Sequence, residues 1–320
     1  MKRVDRSVRN PPWGVRLAAG FATLGFCAVA ASAQTPPAPN PAPATPNLAV
    51  NANINISPKR VVFPGVGRTS SVFIFNQGTT AGTFDIQVVD RIMLPSGQIV
   101  PLSDLEQNPE YKPVADLLKS AREMMLATPR RARLDPGKGQ TIRIRAGAAG
   151  AVPPGEYRTH LTITAVPPAD TGVTAEEAAS RSSGELRFRI NSVLGISIPL
   201  IVRVGPVDVR AGIENAHVGY EDIGSAPDQP AKRTPVLSFD LVRLGANSLF
   251  GNIEVRGAKE RGDKEPIGFV RGVGVYPEIG RRTLRIPLTR APAPGEELEV
   301  LFRDDDVAPG TQLARTTLKT

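Results

Sequence analysis

Between positions 186 and 202 every even-numbered residue except Ser192 is apolar, namely Leu186, Phe188, Ile190, Leu194, Ile196, Ile198, Leu200 and Val202, while Arg187, Arg189, Asn191, Ser197 and Arg203 fall on the alternate positions. Side chains alternate faces along a strand, so the run is one strand with a nearly continuous hydrophobic face. At ~3.3 Å per residue it would reach roughly 55 Å, against roughly 17–20 Å for an ordinary strand. One small sandwich cannot cover that length. Two readings follow. Either the N-terminal part completes the sheet of a partner by strand addition, which explains why a hazardous exposed strand is kept, or the strand bends at Gly195 and covers itself across two sheets. Pro199 offers no amide hydrogen to a ladder and favours a local edge. Upstream, residues 167–184 form a polar, small-residue loop that lets the strand extend.

The rest of the chain shares this β grammar. Runs at 72–75, 83–89, 141–145 and 157–166 are β-rich and bounded by turn residues, among them Pro95-Ser96-Gly97, Asp135-Pro136-Gly137 and Pro153-Pro154-Gly155. After Gly205-Pro206 the pattern resumes at 237–244, 249–255, 272–276, 283–288 and 298–302, with turns at Gly245-Ala246-Asn247 and Pro294-Gly295. A chain of 320 residues has room for two domains. The expected fold is all-β, two β-sandwiches in tandem, spanning 48–205 and 206–320. Residues 111–127 interrupt the strands. Val114, Leu117, Leu118, Met124 and Met125 share roughly one helical face there, so a helix packed on the edge of the first sandwich is expected.

The N-terminus reads as an export signal. Lys2, Arg3, Arg6, Arg9 and Arg16 precede an apolar run from 17 to 31, and Ala31-Ser32-Ala33 supplies small residues for cleavage near Ala33. The run is short for a membrane span and holds Gly20, Thr23 and Gly25, so no span is expected in the mature form. Residues 34–47 are a proline-rich spacer. Cys27, the only cysteine, lies inside the apolar run, which leaves the mature chain without a disulfide or a thiol nucleophile. The net charge falls from +8 to +4 once the leader, with five basic residues against Asp5, is removed. With only 5% aromatic residues to interleave with the arginines, nucleic acid is not an expected partner.

Several segments resemble PapD-type periplasmic chaperones of pilus assembly. They are Ile56-Ser57-Pro58-Lys59-Arg60-Val61-Val62-Phe63-Pro64 followed by Ser71-Val72-Phe73-Ile74-Phe75-Asn76, then Arg131-Ala132-Arg133-Leu134-Asp135-Pro136-Gly137 with Gln140-Thr141-Ile142-Arg143-Ile144, and Gly155-Glu156-Tyr157-Arg158-Thr159-His160-Leu161. In the second half Leu244-Gly245, Phe250-Gly251-Asn252-Ile253, Gly274-Val275-Tyr276 and Arg282-Thr283-Leu284-Arg285-Ile286-Pro287-Leu288 follow in the same order, so the resemblance covers roughly residues 48–318. It implies two immunoglobulin-like domains in a boomerang and a periplasmic chaperone, not an enzyme. Such a chaperone complements pilus or fimbrial subunits with a donor strand and delivers them to an outer-membrane usher. By the same resemblance Arg60 anchors the C-terminal carboxylate of the subunit, consistent with the two parallel bonds a guanidinium gives a carboxylate. Leu186, Phe188, Ile190 and Leu194 are the donor residues. The family's second anchor, a lysine in the long strand, falls near Ser197 here. No lysine stands anywhere from 186 to 204, so Arg203, Arg189 or Arg187 substitutes or the grip is altered. A self-capping dimer of the free protein stays open.

Catalytic constellations are missing from the sequence. The only histidines are His160 and His217, and no nucleophile elbow, zinc-binding helix or phosphate-cradling loop occurs. No cofactor or metal is expected, and Asp304-Asp305-Asp306 reads as a solvated turn because it lacks the spacing of a calcium loop. The alternative reading is a secreted adhesive or structural sandwich protein that binds a surface ligand.

Overall fold

The computed structural model describes residues 53–148, 150–167, 195–224, 231–258 and 265–320. The expected signal segment and proline-rich spacer lie outside them, as do Leu186, Arg187, Phe188, Arg189, Ile190 and Leu194. The first half contains β1 (Ile54–Ser57), β2 (Val61–Phe63), β3 (Arg68–Asn76), β4 (Gly82–Val89), β5 (Arg91–Met93), β6 (Ile99–Pro101), α1 (Lys112–Ala115), β7 (Met125–Thr128), β8 (Arg131–Leu134), β9 (Gly139–Ala146), β10 (Gly155–Val166) and β11 (Gly195–Val204). These build a sheet in the order β1-β3-β9-β7 and a facing sheet in the order β2-β11-β10-β4-β8.

The first run of the chain serves both sheets. β1 pairs antiparallel with β3, and after Pro58, Lys59 and Arg60 the chain crosses over so that β2 pairs parallel with β11. Alternation explains the core between the sheets. Val72 and Ile74 of β3, Ile142 and Ile144 of β9, Leu161 and Ile163 of β10 and Ile198, Leu200 and Val202 of β11 point inward and are buried. Asn76 is the polar exception. Its side-chain amide donates to the carbonyls of Thr80 and Leu134 while its oxygen accepts from Gly78, so a buried polar group is satisfied and ties β3 to the end of β8.

The second half contains β12 (Ala211–Ile223), β13 (Lys232–Arg243), β14 (Leu249–Gly257), β15 (Gly268–Val275), β16 (Arg281–Pro287), β17 (Glu297–Asp304) and β18 (Gln312–Lys319). They form sheets β12-β13-β16 and β15-β14-β17-β18 around a second core that includes Leu237, Phe239, Ile253, Val255, Val300 and Phe302. Gly251 in β14 shows why the sequence carries glycine there. A Cβ would stand 2.0 Å from the carbonyl oxygen of Arg303 in β17.

Residues 90–124 differ from the expectation of a helix over 111–127. Only Lys112–Ala115 forms an α-helical turn, flanked by 3-10 turns at Pro109–Tyr111 and Arg122–Met124, and Met125–Thr128 is a strand paired with β9. The cause is competition from β10. Beyond the end of β4 the N-terminal part of β10 lacks a neighbour, and the segment around Ser120 takes that place. Arg158 N–H donates to the Lys119 carbonyl at 2.8 Å and Ala121 N–H to the Arg158 carbonyl at 3.1 Å. A helix would leave those β10 groups without partners. The remainder of the insertion buries Ile92, Leu94 and Val100 against Tyr111, Val114 and Leu118. Its β5–β6 hairpin reaches the second sandwich, where the Pro95 carbonyl accepts from Thr283 N–H at 3.2 Å.

Candidate functional site

β10 and β11 set up the site because both of their faces are covered. Their inward side chains fill the first core, while Glu156, Arg158 and His160 of β10 and Ile201 and Arg203 of β11 face the second sandwich. The antiparallel register sets Glu156 opposite Arg203 and Arg158 opposite Ile201. Ile201, Met93 and the half-buried Val62 join the apolar core of the second sandwich, which removes water from the charged groups beside them.

At one end of this junction is a cluster of two arginines and two carboxylates. Arg203 Nε donates to Glu156 Oε2 at 2.9 Å, and Arg203 Nη2 donates to Asp306 Oδ2 at 2.6 Å. Arg60 Nη2 reaches the same Asp306 oxygen at 2.7 Å, and Ser248 Oγ lies 3.4 Å from Arg60 and 3.3 Å from Arg203. Glu156 Oε2 also accepts from the Ser248 amide and the Asn247 side chain. Burial penalises the charge on Arg203, but Glu156 and Asp306 outweigh it and raise its pKa above the usual arginine value. Arg60 stacks over the Phe250 ring with its guanidinium carbon 4.7 Å from the centroid. The Arg60 side chain is 10% exposed, yet its Nε and Nη1 have no hydrogen-bond partner among the described residues. Two buried donors with a positive charge and nothing to bind make an acceptor site for an anion.

The sequence-predicted residues are thus partly reunited. Arg60 and Arg203 meet on one carboxylate, whereas Arg187 and Arg189 lie outside the described residues. Ser197 contributes no charge to the cluster, since its hydroxyl bonds that of Thr162 at 2.8 Å. The acidic run is not a solvated turn. Asp304 is 2% exposed and accepts from the amides of Asp306, Val307 and Ala308, so it shapes the β17–β18 turn that carries Asp306 into the cluster. Among the described residues, no group of three His, Cys, Asp or Glu side chains is placed to hold a metal ion.

A second charged group lies further along β10. Arg158 and Glu278, each with 1% of the side chain exposed, form an ion pair across the junction. Glu278 Oε1 accepts from the Met93 amide at 2.9 Å, and Arg158 stacks on Tyr276 with its guanidinium carbon 4.1 Å from the ring centroid. Arg158 Nη1 also lies 3.3 Å from His160 Nδ1, a contact that a neutral imidazole accepts. Burial, then the charges of Arg158 and Arg91, push the His160 pKa well below 6.5. The unfolded chain therefore binds a proton that the folded chain refuses. This destabilises the fold as pH falls below about 6.5 and has no effect well above it. Between pH 7 and 5.5 the loss is expected to be about 1 kcal/mol. Urea unfolding at both values should show the His160→Gln protein losing less stability than the wild type over that interval.

The lateral edge of β11 completes the site. β2 covers it only at Leu200, Ile201 and Val202, through Val61, Val62 and Phe63. From Gly195 to Pro199 the side of β11 turned away from β10 has no strand partner among the described residues. Arg60 immediately precedes Val61, the partner of Leu200, so the anchor candidate stands where the strand edge opens.

No protein-family model and no curated sequence matches the chain. Similar solved structures include the E. coli chaperone DraB, at 12% identity and a TM-score of 0.40 over 84% of this chain and 96% of that one. The Pseudomonas aeruginosa CupB2 chaperone is similar at 14% identity and a TM-score of 0.39, covering 83% of this chain and 98% of its own. A chain of the CsuC–CsuE chaperone–tip subunit pre-assembly complex from Acinetobacter baumannii is similar at 12% identity and a TM-score of 0.38, over 84% and 98% of the two chains.

Proposed function

We propose that this protein is a periplasmic chaperone that captures subunits of a surface fibre by lending them an edge strand and then passes them to an outer-membrane usher. The observation that carries the reading is the junction of Arg60 with the open edge of β11. Arg60, whose buried guanidinium keeps two unpartnered donors, leads into β2 at the point where β11 loses its neighbour. A subunit ending in a strand would place its terminal carboxylate on Arg60 and run its last residues along the free edge. Main-chain hydrogen bonds supply the pairing, and apolar burial at about 25 cal/mol per Å² supplies most of the affinity. The apolar alternate residues 186–194 then extend the donor beyond Gly195. No bond is made or broken in this scheme, so release by exchange with another strand needs no nucleotide.

Tagged mature protein co-expressed with the fibre subunits encoded beside it provides the test. The wild type should retain a small β-rich subunit, and Arg60→Ala should reduce recovery at least about tenfold, since truncating one partner of a buried charge pair costs about 2–5 kcal/mol. Equal recovery with the variant would remove Arg60 from the mechanism. Absence of any subunit under these conditions would sink the chaperone reading.

A further inference from the structure

The β5–β6 hairpin is a ribbon with two apolar faces. Ile92, Met93 and Leu94 are consecutive and all buried, which an alternating strand allows only if both of its sides are covered. Ile92 and Leu94, with Val100 across the ribbon from Ile92, face the small core made by the rest of the insertion. Met93 and its cross-strand partner Ile99 face the other way, into the core of the second sandwich, and Val114 touches both cores. Among the described residues, no side chain from 91 to 118 belongs to the core of the first sandwich. The segment is fastened to that sandwich at its neck, where Ser120 Oγ donates to Asp90 Oδ2 at 2.7 Å and Arg158 N–H donates to the Lys119 carbonyl.

The second sandwich offers a matching gap. Its sheet β12-β13-β16 ends at β16, and the side of β16 turned away from β13 has no strand partner among the described residues. Thr283 N–H points out from that edge and donates to the Pro95 carbonyl at 3.2 Å. At the hairpin tip Gly97 has a φ of 88° and lies so close to the Arg282 guanidinium that a Cβ would overlap it. Arg282 is fixed in turn by the bond from its Nη1 to the Gly274 carbonyl at 3.0 Å. At the root the Met93 amide donates to Glu278. A hairpin with three residues in each strand is marginal by itself in water, so these contacts keep it folded. We infer that residues 91–118 are an arm that completes the second sandwich, with the hairpin covering the free edge of β16 and Met93 closing the core. A segment inserted between two strands of the first sandwich is thus part of the fold of the second. An uncovered strand edge invites pairing with other chains, and the arm blocks this one from within the chain.

Amide hydrogen exchange of the mature protein reads which sandwich the arm folds with. Met93→Ala opens a cavity and should speed exchange in β13, β14 and β16 at least about tenfold while β3 and β9 of the first sandwich stay within about twofold of the wild type. A rise as large in β3 and β9, or none in the second sandwich, overturns the assignment. Gly97→Val acts at the hairpin tip and spares both cores, so it answers the same question if Met93→Ala fails to fold. A branched side chain at a φ of 88° is strained and pushes the tip off Arg282. The Thr283 amide should then lose its acceptor and exchange at least about tenfold faster, with β3 and β9 unchanged. A Thr283 amide that exchanges as in the wild type would mean that the tip does not hold β16, and refutes the arm.

Discussion

Glu278→Ala is expected to destabilise the protein by about 3–5 kcal/mol, because it strands the Arg158 guanidinium as an uncompensated charge. Both side chains are 1% exposed, so water cannot replace the lost carboxylate without opening the junction. The same substitution removes the acceptor of the Met93 amide and so loosens the root of the β5–β6 hairpin. Arg158→Met combined with Glu278→Met should recover most of the loss, since replacing both members by apolar side chains of similar volume removes the desolvation cost with the attraction. Guanidinium unfolding of the wild type, Arg158→Met, Glu278→Met and the double Met variant forms a double-mutant cycle. A single-variant loss below about 1 kcal/mol would mean that the pair is solvated and that the junction is open in solution.

Such pairs are poor sources of net stability, and their placement argues for another role. Ile201, Val62 and Met93 supply apolar contact between the sandwiches, which holds surfaces together without fixing their angle. The Glu156–Arg203–Asp306–Arg60 cluster lies at one end of that contact and Arg158–Glu278 lies further along β10. An incorrect angle would leave several buried charges unpaired at once, so the charges select one arrangement. In that arrangement Arg60, which leads into β2 beside β11, is held against Asp306 and Phe250 of the second sandwich.

The sheets were readable where one face is buried and the other is not. β3 and β9 alternate in that way, whereas β10 and the C-terminal part of β11 are covered on both faces and were readable from their β-rich composition between turn residues. β12 and β18 were missed. The segment Ala211–Ile223 is half-buried to exposed along its whole length, and a bulge between Glu214 and His217 moves its core-facing Ala211, Ile213, Ala216 and Val218 from odd to even positions, which breaks the period-two pattern. Helical spacing misled at 111–127. Val114 and Leu118 do pack together against the small core of the insertion, but from Lys119 to Ala121 the free amide and carbonyl of β10 recruit the backbone instead. Arg60 was singled out only by the resemblance, and Arg203 only as one of three arginines that could replace the missing lysine. Asp306 did not stand out, because its neighbours Asp304 and Asp305 make it look like part of a solvated turn. Its partner Arg60 is 246 positions away, and local pattern carries no information at that separation.

Leu200→Ala tests whether the strand edge and the anchor act as one unit. Leu200 is fully buried, paired on one side with Thr159 of β10 and on the other with Val61 of β2. Removing its side chain leaves a cavity at the centre of the first sandwich and should cost about 2–5 kcal/mol, the larger value if β2 cannot collapse into the space. β2 has only three residues and rests on this contact and its neighbours, and Arg60 is the residue that leads into it. The loss should therefore be uneven. Hydrogen exchange is expected to accelerate most in β2 and at Leu200–Val202, while the amides of β14 and β17 in the second sandwich keep most of their protection. Subunit capture, measured at a temperature where the variant is still folded, should fall with the protection of β2. Capture at the wild-type level despite an exposed β2 would mean that Arg60 is held by Phe250 and Asp306 from the second sandwich alone, and that the register of β2 on β11 does not position the anchor.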